Sequence, residues 1–392
     1  MSNIFNFNKE IMPNILLNDF YQTFFIISLF ILIFIVIYKI LLRVNKDKDS
    51  FVENNSEKKI LDLIENTPVI YIKSLSQLTG HNIYAKCEYF NYYTSKDRVI
   101  KRILLNAKEK GLINKDSMIY ESSTGLSGYS TASISQLLGY SSTIVIPESC
   151  SKTLISQIKK TNCKLILTKN VDFSNFSHNY IRLCKKLSNE DKNGFYINLY
   201  QNELNFITNF EEIGPELYRQ LNNKVDAFVC GSDTGGTISG ISNFLKIKNK
   251  NCFVALADTE NSGFSTFIKE GVLFRKENKS GKNKDDIPDI IIGNCFLNNN
   301  LRKANIDNTY IGNFYEAMFM VDYVKKYDGI DIGFNEGLNL VGILKMIKDK
   351  NNNLPNNSNI ATIFLSNGIY DSEKIISFNW ENNPIKNIEE IF

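Results

Sequence analysis

The sequence predicts an α/β protein with a largely parallel sheet covered on both faces. Two observations predict it. Short apolar runs rich in Val, Ile and Phe recur along the chain, and several lead through a turn into a segment of helical spacing. The runs read as strands are Asn82–Lys86, Met118–Glu121, Ser142–Ile146, Lys164–Thr168, Asp226–Cys230, Phe253–Asp258 and Ala361–Leu365. Val99, Ile103 and Ala107 share one helical face, as do Leu154, Ile155 and Ile158. In such sheets ligands sit beyond the carboxyl ends of the strands, so the strand-to-helix loops are where chemistry is expected.

Composition narrows the function. Forty-five basic residues stand against 42 acidic ones, which leaves no excess of positive charge for a nucleic-acid partner. The two histidines, His81 and His178, lie far apart without ligand-spaced neighbours, so neither a histidine metal site nor a Ser-His-Asp triad is indicated. Seven cysteines with no CxxC pair read as free thiols of a reducing compartment rather than a disulfide framework or a zinc knuckle.

The apolar residues are unevenly spread. Nineteen uncharged residues, FYQTFFIISLFILIFIVIY, separate Asp19 from Lys39, enough to cross a bilayer as one helix. Tyr21 and Tyr38 sit near its ends as interfacial aromatics do. A cleaved signal peptide is the rival, but Lys-Ile-Leu-Leu-Arg follows in place of a small-residue cleavage site. Lys39, Arg43, Lys46 and Lys48 outweigh the charge before the span, which places the larger part of the chain in the cytosol. The expected organisation is an N-terminal segment (1–19), a transmembrane anchor contacting the lipid bilayer (20–42), a polar tether (43–60) and one catalytic body (61–392). A charged surface insertion, 276–286, interrupts the body.

Three loops of the body carry candidate chemistry. Gly231-Ser-Asp-Thr-Gly-Gly-Thr237 joins a strand to a helix starting near Ile238. Its glycines and threonines present N–H groups and hydroxyls to an anion at a helix N-terminus, although such a turn can also serve backbone geometry alone. It has neither P-loop nor GxGxxG spacing. Ser123-Thr-Gly-Leu-Ser-Gly128, before a helix beginning near Tyr129, suits a carboxylate or phosphate. Asn91-Tyr-Tyr-Thr-Ser-Lys-Asp-Arg98 opens an amphipathic helix. A lysine there opposes the helix dipole, so Lys96 is either a solvated surface residue or an amine used in its neutral form.

Taken in order, these loops resemble the family of pyridoxal-phosphate (PLP) enzymes that contains cysteine synthase and cystathionine β-synthase. The resemblance runs from about Glu65 to the C-terminus. It includes Asn66-Thr-Pro68, IYAKCEYFN at Ile83–Asn91, Gly214-Pro-Glu216 and LADTENSGF at Leu256–Phe264. It implies PLP fold type II, with two α/β subdomains of mainly parallel sheets, roughly 95–205 and 61–94 plus 206–380. It further implies that Lys96 is the catalytic lysine that holds the cofactor covalently and takes the α-proton. Thr234, Gly235, Gly236 and Thr237 would bind the phosphate, and Ser123, Thr124, Gly125 and Ser127 the substrate carboxylate. Ser366 would face the pyridine nitrogen; a neutral hydroxyl there leaves that nitrogen unprotonated and favours β-elimination and replacement. The implied substrate is a small-molecule amino acid such as O-acetylserine, converted with sulfide to cysteine, and family members are commonly homodimers. The short anchor is similar to that of fungal members of the mitochondrial outer membrane, with an endomembrane as the alternative.

The departures from the family pattern fall in the loops. Leu126 stands where an asparagine would hydrogen-bond the ring oxygen, Leu199 where the pocket has glutamine, and Cys295 where it has glycine. Phe334-Asn335-Glu336 replaces an I-S-S loop, and Asp233 replaces the second glycine of the phosphate turn. A carboxylate about 4 Å from a phosphate oxygen costs about 4 kcal/mol per unit charge at an effective dielectric near 20, unless it points away. Two readings follow: a membrane-anchored cysteine-synthase-type PLP enzyme, or a catalytically degenerate member kept as a tethered scaffold or regulator.

Overall fold

The computed structural model describes residues 60–169, 180–260, 262–274, 298–352 and 354–392. The expected membrane span at 20–42, nearly all of the tether, the 276–286 insertion, His178 and Cys295 lie outside the described residues. Among the described residues no helix is long and apolar enough to cross a membrane.

Among the described residues ten strands form two sheets, the mainly parallel arrangement expected of an α/β fold. They are β1 (Val69–Tyr71), β2 (Asn82–Cys87), β3 (Met118–Ser122), β4 (Ser141–Pro147), β5 (Lys164–Thr168), β6 (Gly194–Tyr196), β7 (Ala227–Cys230), β8 (Phe253–Thr259), β9 (Asn308–Gly312) and β10 (Asn359–Phe364). One sheet has the order β1-β2-β10-β7-β8-β9 and the other β5-β4-β3-β6. Among the described strands only the β1–β2 pair is antiparallel.

The central strands are apolar because both of their faces are covered. Ala227, Phe228, Val229 and Cys230 of β7 are all buried, and so are Ile360, Ala361, Ile363 and Phe364 of β10. All seven strands read from the sequence are present within two residues at either end. The three that were not read, β1, β6 and β9, are each an edge of their sheet. An edge strand is covered less completely and needs no continuous apolar run, so its sequence signal is weak.

Strand order positions the loops. The last strand, β10, inserts between β2 and β7, each pairing in parallel register: Ile360 lies opposite both Ile83 and Ala227. The segments that leave the carboxyl ends of β2, β10 and β7 are therefore neighbours, and they carry Lys96, Ser366 and the Gly231–Thr237 turn. In the second sheet β3 and β4 lie side by side with Glu121 opposite Ile144, so the Ser123–Ser127 loop adjoins Ser149–Ser151.

Helix starts are set by local chemistry. The helix Asp97–Glu109 begins directly after Lys96, and the Asp97 carboxylate accepts from the N–H groups of Tyr93 at 2.6 Å and Thr94 at 3.1 Å. Its inner face buries Val99, Ile103 and Ala107, as the spacing predicts. Two helices start earlier than expected, at Leu126 and at Gly236. Phe334–Lys348 is a helix rather than a loop, so Glu336 stands in its first turn.

Candidate active site

A cavity of about 280 Å³ opens where these loops meet. Lys96, Ser123, Thr124, Gly125, Ser127, Thr234, Gly235, Thr237 and Ser366 all line it. Of the residues that the resemblance assigns to cofactor or substrate, Gly236 alone stands behind the wall, in the first turn of the helix Gly236–Lys248. Leu126, Leu199 and Asp233 line the cavity too.

The Lys96 amine is held in a setting that favours its neutral form. Burial pushes its pKa down, while Asp233, then Cys230 and Glu88, pull it back up. Its backbone is fixed by the N–H donating to Thr94 Oγ1 at 3.0 Å, and Thr94 Oγ1 lies 2.5 Å from Ser130 Oγ. Lys96 is half-buried in the cavity wall, a placement that suits the neutral-amine reading better than that of a surface lysine.

Behind Lys96 lies a network of buried charges that sequence reading missed. Arg98 places Nε and Nη2 2.9 Å from the two oxygens of Glu88, and Nη1 2.8 Å from Glu216 Oε2. Lys86 also pairs with Glu216 and donates to the Thr67 carbonyl at 2.6 Å. Burial alone would raise the Glu216 pKa, but Arg98 and Lys86 hold it down at about 2. The four motifs around Thr67, Lys86–Glu88, Arg98 and Glu216 thus meet at one place and fix the start of the lysine's helix. The available signal was a lysine and a glutamate in the otherwise apolar run that ends β2.

The phosphate-type turn is built closely. Gly235 has φ +78°, and a Cβ there would come 2.4 Å from the Leu301 nitrogen. At Gly236 a Cβ would come 2.0 Å from Asn205 Oδ1, so the helix N-terminus stays open to an anion only with glycine at both positions. Asn205 Nδ2 donates to Thr234 Oγ1 at 3.0 Å. Asp233, the residue most at odds with a phosphate, is engaged laterally: the Tyr200 hydroxyl donates to its Oδ1 at 3.1 Å. Its charge is also close enough to Lys96 to raise the amine's pKa.

The Ser123 loop is tied into a tight turn. The Ser123 hydroxyl donates to the Gly125 carbonyl at 2.9 Å and accepts from the Gly125 N–H at 2.9 Å and from Ser127 Oγ at 2.8 Å. Glu121 lies beneath this loop, 1% exposed, with Oε2 lacking a partner. Burial pushes its pKa up to about 8, against hydrogen bonds from Ser127 and the backbone of Asn198 and Ser122.

The glycine cradle, the helix N-terminus and a buried lysine of depressed pKa fit a phosphate-bearing aldehyde cofactor. Comparison with known proteins points the same way. Residues 60–365 match the family model described as pyridoxal-phosphate dependent enzyme. The chain belongs to that family. It is similar to a cysteine synthase of Dictyostelium discoideum, 30% identical over 86% of this chain and 88% of the relative. A cysteine synthase 2 of Schizosaccharomyces pombe is 32% identical over 78% of this chain and 81% of its own length. A Saccharomyces cerevisiae protein provisionally named a mitochondrial cysteine synthase gives the same figures, 32%, 78% and 81%. Among solved structures, a hydrogen sulfide-producing enzyme from Fusobacterium nucleatum superposes with a TM-score of 0.67 at 25% identity, covering 79% of this chain and 98% of that one. The protein is thus a cysteine-synthase-like enzyme of lyase or transferase type, and its cofactor is PLP.

Proposed function

We propose that this enzyme replaces the β-substituent of an O-acylated serine, such as O-acetylserine, with sulfide to give cysteine. The observation that carries the reading is the buried Lys96 amine, set among the Thr234–Thr237 turn, the Ser123–Ser127 loop and Ser366. When bound, PLP supplies an electron sink that acidifies the α-carbon of an amino acid. Thr234, Gly235, Gly236 and Thr237 bind the phosphate at the helix N-terminus, where the dipole and free N–H groups favour an anion. Lys96 holds the cofactor and then, as a neutral amine, takes the α-proton of the substrate. Ser123, Thr124, Gly125 and Ser127 orient the substrate carboxylate, and Ser366 faces the pyridine nitrogen. Tyr200 keeps the Asp233 carboxylate to one side of the phosphate.

The same proposal includes a homodimer anchored by residues 20–42 in the mitochondrial outer membrane, with the catalytic body in the cytosol. Its support is the apolar run Phe20–Tyr38 with its following positive charges, together with the relative named mitochondrial.

Full-length protein in detergent should take up PLP and turn yellow. It should form cysteine from O-acetylserine and sulfide, with activity falling about a thousandfold in Lys96→Ala. A colourless protein that takes up no PLP would refute this reading and favour the degenerate scaffold. The anchor is checked by resistance to alkaline extraction and by proteolysis of the body in intact mitochondria.

A further inference from the structure

Three side-chain oxygens converge over Gly333. A Cβ at that position would lie 2.5 Å from Asp371 Oδ2, 2.7 Å from Glu336 Oε2 and 3.5 Å from Ser366 Oγ. Glu336, Ser366 and Asp371 all line the cavity. Glu336 is 1% exposed, and its two oxygens are unlike. Oε1 accepts from the N–H groups of Leu365 at 3.0 Å and Ser366 at 3.1 Å, which fixes the carboxyl beneath the Ser366 loop. Oε2 is buried without a partner. A buried carboxyl oxygen left unpaired is costly, so its retention calls for a proton on that oxygen or for a partner on a bound group.

We propose that Glu336 presents this free oxygen to the ring nitrogen of PLP beside Ser366 and keeps that nitrogen protonated, giving this enzyme a stronger electron sink than a serine alone provides. The inference rests on the placement of Ser366 at the pyridine nitrogen under the proposed function. The step moves one proton. The O–H bond of the Glu336 carboxylic acid breaks and an N–H bond forms on the ring, leaving a carboxylate and a pyridinium joined by a charge-assisted hydrogen bond. Burial, followed by the Asp371 charge, pushes the Glu336 pKa up to about 7, so Glu336 is an acid with a transferable proton near neutral pH, and the pyridinium formed beside it supplies the cation its carboxylate otherwise lacks. Among the described residues, Cys230, Cys87 and Tyr89 also sense its charge, and each is itself raised by burial. None of the three supplies a positive charge that would hold Glu336 ionised without the cofactor. A protonated ring draws electrons from the α-carbon more strongly, so α-proton exchange should accompany β-replacement.

The test is the ¹⁵N chemical shift of ring-labelled PLP bound to the full-length protein. The wild type should show a protonated pyridinium nitrogen, and Glu336→Gln and Glu336→Ser a neutral pyridine. Glu336→Gln should also weaken PLP binding roughly tenfold, while an analogue with C–H in place of the ring nitrogen binds as before. A neutral ring nitrogen in the wild type overturns the inference, as does an equal loss of affinity for both ligands. If neither variant folds, the wild-type shift decides alone. PLP uptake with a neutral nitrogen sinks this inference only, whereas no uptake sinks it together with the proposed function.

Discussion

Two of the regions in which this molecule buries charge treat it in opposite ways. Behind Lys96, the groups Lys86, Glu88, Arg98 and Glu216 pair with one another. In front of it, in the cavity, Glu121 and Glu336 each keep one oxygen without a partner. The first region holds Glu216 ionised, at about 2, while the second pushes its carboxyls up to about 8 and about 7. Burial acts on both; only the cations differ. Paired charge fixes a backbone, whereas unpaired charge is a capacity held for something else.

Breaking the paired region should have the largest effect. Arg98→Ala removes the cation that bridges two buried carboxylates, leaving both to Lys86, and should cost about 3–5 kcal/mol of stability, read by denaturant unfolding. A loss below about 1 kcal/mol would place the network among weak surface ion pairs.

Removing charge from the unpaired region should do the reverse. Glu121 has a folded pKa of about 8 against an ordinary value of 4.5. Between those values the folded state holds a proton that the unfolded state has released, so this group makes stability fall as pH rises through that window. Glu121→Gln should therefore match the wild type near pH 4.5 and become progressively more stable toward pH 8. The gain per unit is about 1.4 kcal/mol at most, the slope of a single proton. Melting temperatures across that range check it, and a difference independent of pH would refute it.

The smallest effect concerns the boundary between the two. Tyr200→Phe removes the hydroxyl that engages Asp233 at 3.1 Å. Losing about 1 kcal/mol of hydrogen bonding should weaken PLP binding roughly fivefold by loosening the hold on a carboxylate beside the phosphate turn. Unchanged affinity, measured by titrating apoprotein with PLP, would show that Asp233 stays clear of the phosphate without help.

How legible this arrangement was depended on how local each signal is. The central strands were readable because burial on both faces demands a continuous apolar run. The edge strands β1, β6 and β9 were not, because nothing in three to five half-covered residues distinguishes a strand from a loop. The loops around Lys96, Ser123, Thr234 and Ser366 were readable because each is a short motif. Glu121 was not, since a glutamate at the end of a strand reads the same whether its partner is water or nothing.

By itself the sequence determined the alternation of strand and helix, the loops that carry chemistry, and the lysine placed against a helix dipole. All of these are properties of a few neighbouring residues. Tertiary structure decided which charges meet. Glu216 reaches Lys86 across 130 positions and Arg98 across 118, and β10 enters between β2 and β7 to set the Glu336 carboxyl beneath Ser366. Such pairings follow from the order of strands in a sheet, which no local pattern encodes. Whether a buried carboxyl is held as an anion or kept as an acid depends on which cation the fold brings beside it.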